Sequence, residues 1–183
     1  MRTALLLIDI QNDYFPGGRM ELEGSLEAAQ QASTLLNYFR THGLPTVHIQ
    51  HVSLRPGASF FLPETEGVKI HKAITPLDGE MIVTKHFPNS FRETSLLEHL
   101  MSQGVENLII SGMMTHMCVD ATTRAAADLG FTVTVAEDAC ATRALTYAGT
   151  RIPAEHVHKA FLAALKSYGQ VERTSEILAQ PQV

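Results

Sequence analysis

Three residues of this 183-residue chain carry side chains that together would perform nucleophilic chemistry: Asp9, Lys85 and Cys118. A thiol attacks poorly and a thiolate attacks well, so a nucleophilic cysteine needs help in losing its proton. A carboxylate can take that proton and later hand it to a leaving amine. A lysine ammonium near the sulfur favours the thiolate, and so does the positive end of a helix starting at the cysteine. Backbone N–H groups at the same helix start can hold an oxyanion. Each residue alone has a plainer reading: Asp9 as a strand-end cap, Lys85 as a solvated loop lysine, Cys118 as a small buried hydrophobe. The functional reading therefore depends on whether the fold brings the three together.

The hydrophobic pattern supplies elements that would do so. Residues 3–10 form a near-continuous apolar run closed by Gln11, Asn12 and Asp13, as in a strand buried on both faces. A helix is predicted from Ser25 to about His42, with Gly43 stopping it. Further strands are predicted at 46–49, 81–84, 107–111 and 131–136, with Val171 in a short edge strand. Further helices are predicted at about 94–103, about 117–129, and from Pro153 to about Tyr168. Residues 52–80 carry Pro56, Gly57, Pro63, Gly67, Pro76 and Gly79, and read as a long surface excursion shaping a pocket. This alternation implies an α/β fold with right-handed crossovers and a mainly parallel sheet covered on both faces. Such sheets bind ligands beyond the carboxyl ends of their strands. Asp9 lies near the end of the first strand, Lys85 ends the third, and Cys118 follows the fourth.

Composition narrows the class. Hydrophobic residues are 45% and charged residues 18% of the chain, which argues against disorder and for one domain spanning residues 1–183. Fourteen basic against nineteen acidic residues, a net charge of −5, and no basic stripe argue against nucleic acid or an anionic membrane as partner. Two cysteines, Cys118 and Cys140, do not make a disulfide scaffold. The apolar run at 4–8 is too short for a membrane span and has neither the basic flank nor the cleavage site of a signal peptide. The expectation is a soluble, cytoplasmic protein acting on a small molecule.

Longer motifs surround the three residues. Ala-Leu-Leu-Leu-Ile-Asp-Ile-Gln-Asn-Asp-Tyr-Phe (4–15), Lys-His-Phe-Pro-Asn-Ser-Phe (85–91) and Ile-Ile-Ser-Gly-Met-Met-Thr-His-Met-Cys-Val-Asp (109–120) occur in that order. Asp138-Ala139 follows the fifth strand. Together they resemble the blocks of the isochorismatase-like cysteine hydrolases, over about residues 3–168. The resemblance implies a three-layer, Rossmann-like α/β/α sandwich with a six-stranded, mainly parallel sheet. It implies a catalytic triad of Asp9, Lys85 and Cys118. It also implies a non-proline cis peptide between Met113 and Met114, which would turn the Met114 N–H inward to join that of Cys118 in an oxyanion hole, with Thr115 holding the turn. A homo-oligomer, dimer or tetramer, is a further implication.

Two branches of that family differ informatively. True isochorismatases typically have glycine at the position of Cys118, so a retained thiol favours attack on an acyl carbon over vinyl-ether cleavage. Nicotinamidases carry an Asp-x-His metal motif after the second strand; here that stretch is His48-Ile49-Gln50-His51. No metal and no cofactor are therefore expected, although His48, His51, His71 and His86 stay open as ligands. Candidate substrate contacts are Gln11, Tyr14, Phe60, Phe61, Phe87, Phe91 and His116. Phe60-Phe61 reads equally as a pocket wall or as buried packing, and His116 equally as a substrate contact or a structural hydrogen-bonder. The functional expectation is hydrolysis of a C–N bond in a small amide, ureide or carbamoyl compound through a thioester. The alternatives are an isochorismatase-type vinyl-ether hydrolase and a non-catalytic oligomeric thiol protein.

Overall fold

The first strand sets the frame. In the computed structural model, which describes residues 2–180, β1 (Arg2–Ile8) is buried from Thr3 onward. Its side chains alternate: Leu5 and Leu7 enter one hydrophobic cluster, Ala4, Leu6 and Ile8 the other. A strand with two apolar faces needs cover on both, and the helices provide it. On one side lie α1 (Ser25–Thr41) and the short α5 (Thr174–Leu178); on the other lie α2 (Leu96–Ser102), α3 (Asp120–Asp128) and α4 (Ala154–Leu165). The remaining strands are β2 (Thr46–His51), β3 (Met81–Lys85), β4 (Val105–Met113), β5 (Thr132–Ala141), the hairpin β6 (Leu145–Tyr147) and β7 (Thr150–Ile152), and β8 (Gln170–Glu172).

The main sheet has the order β3-β2-β1-β4-β5-β8, and every pairing in it is parallel. The order reverses direction at β1, so the carboxyl ends of β1 and β4 border the crevice where such sheets hold ligands. Among the described residues no helix is long and apolar enough to cross a membrane.

Several boundaries differ from the sequence-based expectation. Strand β5 continues to Ala141 because its register skips: Val135 faces Ile110, but Cys140 faces Gly112. The looped-out stretch carries Asp138, whose Oδ1 accepts hydrogen bonds from the Thr174 N–H and hydroxyl at 2.8 Å each and so ties down α5. The β6–β7 hairpin was not predicted, being too short for an apolar period. Arg124 pairs backward with Asp120 at 2.9 Å and lies over the Tyr168 ring.

Candidate active site

Asp9, Lys85 and Cys118 converge at the carboxyl edge of the sheet, and local chemistry explains how. Asp9 follows β1 directly with φ at 51°, a left-handed conformation that aspartate tolerates better than most residues. Across from Ile8 stands Gly112, with φ at 132°. A Cβ there would lie 2.0 Å from the Ile8 carbonyl oxygen, so only glycine lets β4 come this close to the end of β1. Lys85 closes the edge strand β3, and its long side chain reaches past β2. Its Nζ lies 2.9 Å from Asp9 Oδ2 and donates to the Pro88 carbonyl at 2.8 Å. Neither side chain has any solvent exposure. Cys118 sits in a π-helical turn, Thr115–Val119, that leads from β4 into α3. A ligating atom of Asp9, one of the His51 ring and the Cys118 sulfur all lie within 4.8 Å of one another.

The electrostatics of the free site correct one expectation. Burial alone would raise the Asp9 carboxyl, but Lys85 and His51 outweigh it and hold the group below its ordinary value. Burial would lower Lys85, but the charges of Asp9 and Cys118 hold it above its ordinary value. Cys118 goes the other way: burial first, then the adjacent Asp9 carboxylate, push the thiol well above its ordinary range, and Lys85 offsets this only in part. The resting site thus contains a carboxylate, an ammonium and a neutral thiol, rather than a preformed thiolate. A carboxylate beside the sulfur opposes the second negative charge and also provides somewhere for the proton to go. Cys140 is buried too, and burial pushes it up to about 12.

The turn before Cys118 is firmly held. The Met113–Met114 peptide is cis. The Thr115 hydroxyl donates to the Ala141 carbonyl at 3.2 Å and shares a 2.9 Å hydrogen bond with His158 Nδ1. His158, on α4, had no signal in the sequence that separated it from a surface helix residue.

Above the triad lies a cavity of about 230 Å³, walled by Tyr14, Phe60, Phe87, Pro88, Met114 and Met117, with Cys118 at its base. His51, Ser53, Leu54, Arg55, Ala58 and His86 complete the lining. Of the predicted substrate contacts, Tyr14, Phe60 and Phe87 face this space. Four do not, and each has a physical reason. Gln11 is fully buried: its Oε1 accepts the His51 N–H at 2.8 Å, and its Nε2 donates to the carbonyls of His51 at 2.9 Å and Val68 at 2.7 Å. Phe61 is turned into the core, in edge contact with Tyr14, by a φ of 55° and by its N–H donating to Asp13 Oδ2 at 2.6 Å. Phe91 stacks on Phe131 in the opposite cluster. His116 shares a hydrogen bond with Thr142 and contacts the Phe161 ring.

The polar residues closing β1 organise the excursion that roofs the site. Gln11 holds Val68, Asn12 donates to the Glu66 carbonyl at 3.0 Å, and Asp13 holds Phe61. Gly67 fits because a Cβ there would lie 2.1 Å from the Asp13 carboxylate. The excursion is therefore tied at three successive positions to the segment that follows β1 and begins with Asp9.

The four histidines left open as ligands separate. His51 and His86 line the cavity. His48 is buried against Glu80, 2.9 Å away, and His71 stacks on Phe15 and accepts from the Ala73 N–H.

Comparison with known proteins adds an independent line. The model of the isochorismatase domain matches residues 3–176. An uncharacterised isochorismatase family protein of Bacillus subtilis, YddQ, is 50% identical over 176 residues, covering 96% of this chain and 98% of that protein. A crystal structure of an isochorismatase from Pseudomonas putida superposes with a TM-score of 0.89 at 34% identity, covering 96% of this chain and 89% of its own. A maleamate amidohydrolase of Pseudomonas putida is 28% identical over 152 residues, covering 75% of this chain and 71% of that protein.

Proposed function

The chain belongs to the isochorismatase family of hydrolases, and from that premise we propose that it is a cysteine amidohydrolase cleaving the C–N bond of a small amide, ureide or carbamoyl compound. The observation that carries the reading is the buried Asp9–Lys85 ion pair beside a neutral Cys118 thiol at the base of a mostly apolar cavity. The maleamate amidohydrolase among the relatives supports amide chemistry, and the cavity suits a small substrate, lying below the usual ligand-pocket range of roughly 300–1,000 Å³.

The mechanism follows from the resting charges. Cys118 attacks the substrate carbonyl carbon as its proton passes to Asp9, so no free thiolate needs to accumulate. Lys85 stabilises the sulfur as it gains charge and holds Asp9 in place. The carbonyl electrons move onto oxygen, where the Met114 and Cys118 N–H groups would hold the oxyanion. As the C–N bond breaks, Asp9 returns the proton to the departing nitrogen. Water then gives a proton to Asp9 and attacks the thioester, the C–S bond breaks, and Cys118 is reprotonated as the acid leaves. Tyr14, Phe60 and Phe87 would hold the substrate body.

A panel of amides, ureides and carbamoyl compounds, read by ammonia release and by intact mass, tests this. The expected result is a transient acyl adduct on Cys118 and no turnover by Cys118→Ala. Turnover that survives Cys118→Ala would overturn it in favour of a thiol-independent hydrolysis. We further read the protein as cytoplasmic and as a homo-oligomer; exposed apolar side chains such as Ile82 on the edge strand and Leu77 support the association.

A further inference from the structure

Asp9, His51 and Cys118 present one oxygen, one imidazole nitrogen and one sulfur, the donor types that zinc and its chemical relatives accept. Their ligating atoms lie within 4.8 Å of one another. Zinc bonds of about 2.0–2.3 Å put tetrahedral ligands roughly 3.3–3.7 Å apart, so the three need to close by little more than about 1 Å. His51 has the freedom to do this. Its backbone is clamped by Gln11 on both sides, but its ring borders the cavity, so rotation of the side chain suffices. The second pointer to a ligand is Asp9 itself. It is completely buried, and its Oδ1 has no hydrogen-bond partner. The cavity leaves room for a fourth ligand such as water.

One feature opposes a cation here. The Lys85 ammonium, 2.9 Å from Asp9 Oδ2, is a fixed positive charge beside the donor set. We propose that Asp9, His51 and Cys118 form a latent site for a thiol-seeking divalent ion of the zinc type, that such an ion shuts the cavity by capturing the Cys118 sulfur, and that Lys85 guards against it. Binding is a ligand exchange: the ion takes the sulfur lone pair, one proton leaves Cys118 for solvent, and nothing is oxidised or reduced. Hard ions such as magnesium, which take oxygen ligands, are excluded by the same donor set. The site needs only this ligand geometry and none of the amide chemistry proposed above.

The guard role makes an unusual prediction: Lys85→Met loses catalysis but gains metal affinity. The test adds cobalt(II) to the wild type, Lys85→Met, His51→Ala and Cys118→Ser and records absorption spectra, with circular dichroism as a check on folding. The expected result is one equivalent of cobalt with a near-ultraviolet thiolate-to-metal band and the intense visible bands of tetrahedral coordination. Affinity should rise at least about tenfold in Lys85→Met and fall about 10–100-fold in His51→Ala, and the thiolate band should vanish in Cys118→Ser. Should Lys85→Met fail to fold, cadmium on the other three proteins tests the site through its own thiolate band, and Lys85→Gln, which removes the charge but keeps a polar side chain, takes over the test of the guard with the same expected rise in affinity. Absence of any thiolate band, or an affinity indifferent to His51→Ala, overturns the site. A cobalt affinity unchanged in a folded Lys85→Met overturns the guard. Failure of every amide in the panel would undo the proposed reaction and leave these spectra as they are.

Discussion

Replacing Asp9 by asparagine should cost far more stability than one surface charge, and the structure sets the size of the loss. The Lys85 ammonium has no solvent exposure, and without the carboxylate 2.9 Å away its charge is left facing neutral acceptors such as the Pro88 carbonyl. Breaking a buried ion pair by removing one partner costs about 3–5 kcal/mol. An independent bound agrees. The lysine can escape by shedding its proton, and bringing its pKa from about 10.4 to 7 costs about 5 kcal/mol at about 1.36 kcal/mol per pH unit. Asp9→Asn should therefore lose about 3–5 kcal/mol, a large share of the roughly 5–15 kcal/mol that stabilises a typical domain. Lys85→Met should lose a similar amount by stranding Asp9. The double variant Asp9→Asn/Lys85→Met removes both charges and should recover much of the loss, giving a coupling energy of at least about 2 kcal/mol. Urea unfolding of the four proteins, with the denaturant slope checked for constancy, measures all of this. All three variants should be inactive whatever their stability. An Asp9→Asn loss under about 1 kcal/mol, or a double variant no better than the sum of the singles, would refute the electrostatic reasoning.

Other expectations follow from single contacts. Gly112→Ala forces a Cβ to within 2.0 Å of the Ile8 carbonyl at a φ of 132°; a loss of about 3 kcal/mol or more is expected, read as a melting temperature lowered by about 10 °C. Gln11→Met leaves the His51 N–H and carbonyl without their side-chain partner and leaves the Val68 carbonyl with only the Gln50 Nε2 donor at 2.9 Å; about 2–4 kcal/mol should be lost, and unchanged unfolding would show the clamp to be idle. Glu80 accepts from Arg40 at 2.6 and 2.7 Å and from the Leu77 N–H at 2.9 Å, and lies 2.9 Å from His48 Nε2, which together, Arg40 foremost, bring its carboxyl from 4.5 to about 2. Because the folded value lies below the unfolded one, the stabilisation is full above pH 4.5 and is lost as pH falls towards 2. It amounts to at most about 3 kcal/mol, so the acid limb of a stability–pH curve should flatten in Glu80→Gln. Phe60→Ala opens the cavity wall and should raise KM with little change in kcat, a split that steady-state kinetics on an active amide would resolve.

Much of the frame is legible in the chain alone. Residues 3–10 are apolar at every position but Thr3 and Asp9, which requires a strand covered on both faces. The same regularity marks α1 and the later strands. Their ends place Asp9, Lys85 and Cys118 on one edge of the sheet, because in a parallel sheet every carboxyl end points the same way. The longer motifs around these residues carry the family, which the domain comparison shows. The irregular parts had no such period to read. The register skip in β5 arises from contacts with β4, and the β6–β7 hairpin is too short to show a pattern.

The sequence by itself determined the architecture and the set of reactive residues, because both follow from local periodicity and residue type. Tertiary structure decided which groups face the substrate and what charge they carry. Phe60 and Phe61 are neighbours of the same type, yet one walls the cavity and the other is core, a choice made by the hydrogen bond from the Phe61 N–H to Asp13, 48 residues away. Gln11 looked like a substrate contact and is instead the clamp on His51. Cys118, at a helix start and near a lysine, read as a position that favours the thiolate. Burial and a carboxylate neighbour make it a thiol at rest, since desolvation and charge depend on what long-range packing places around an atom and not on the residues beside it in the chain.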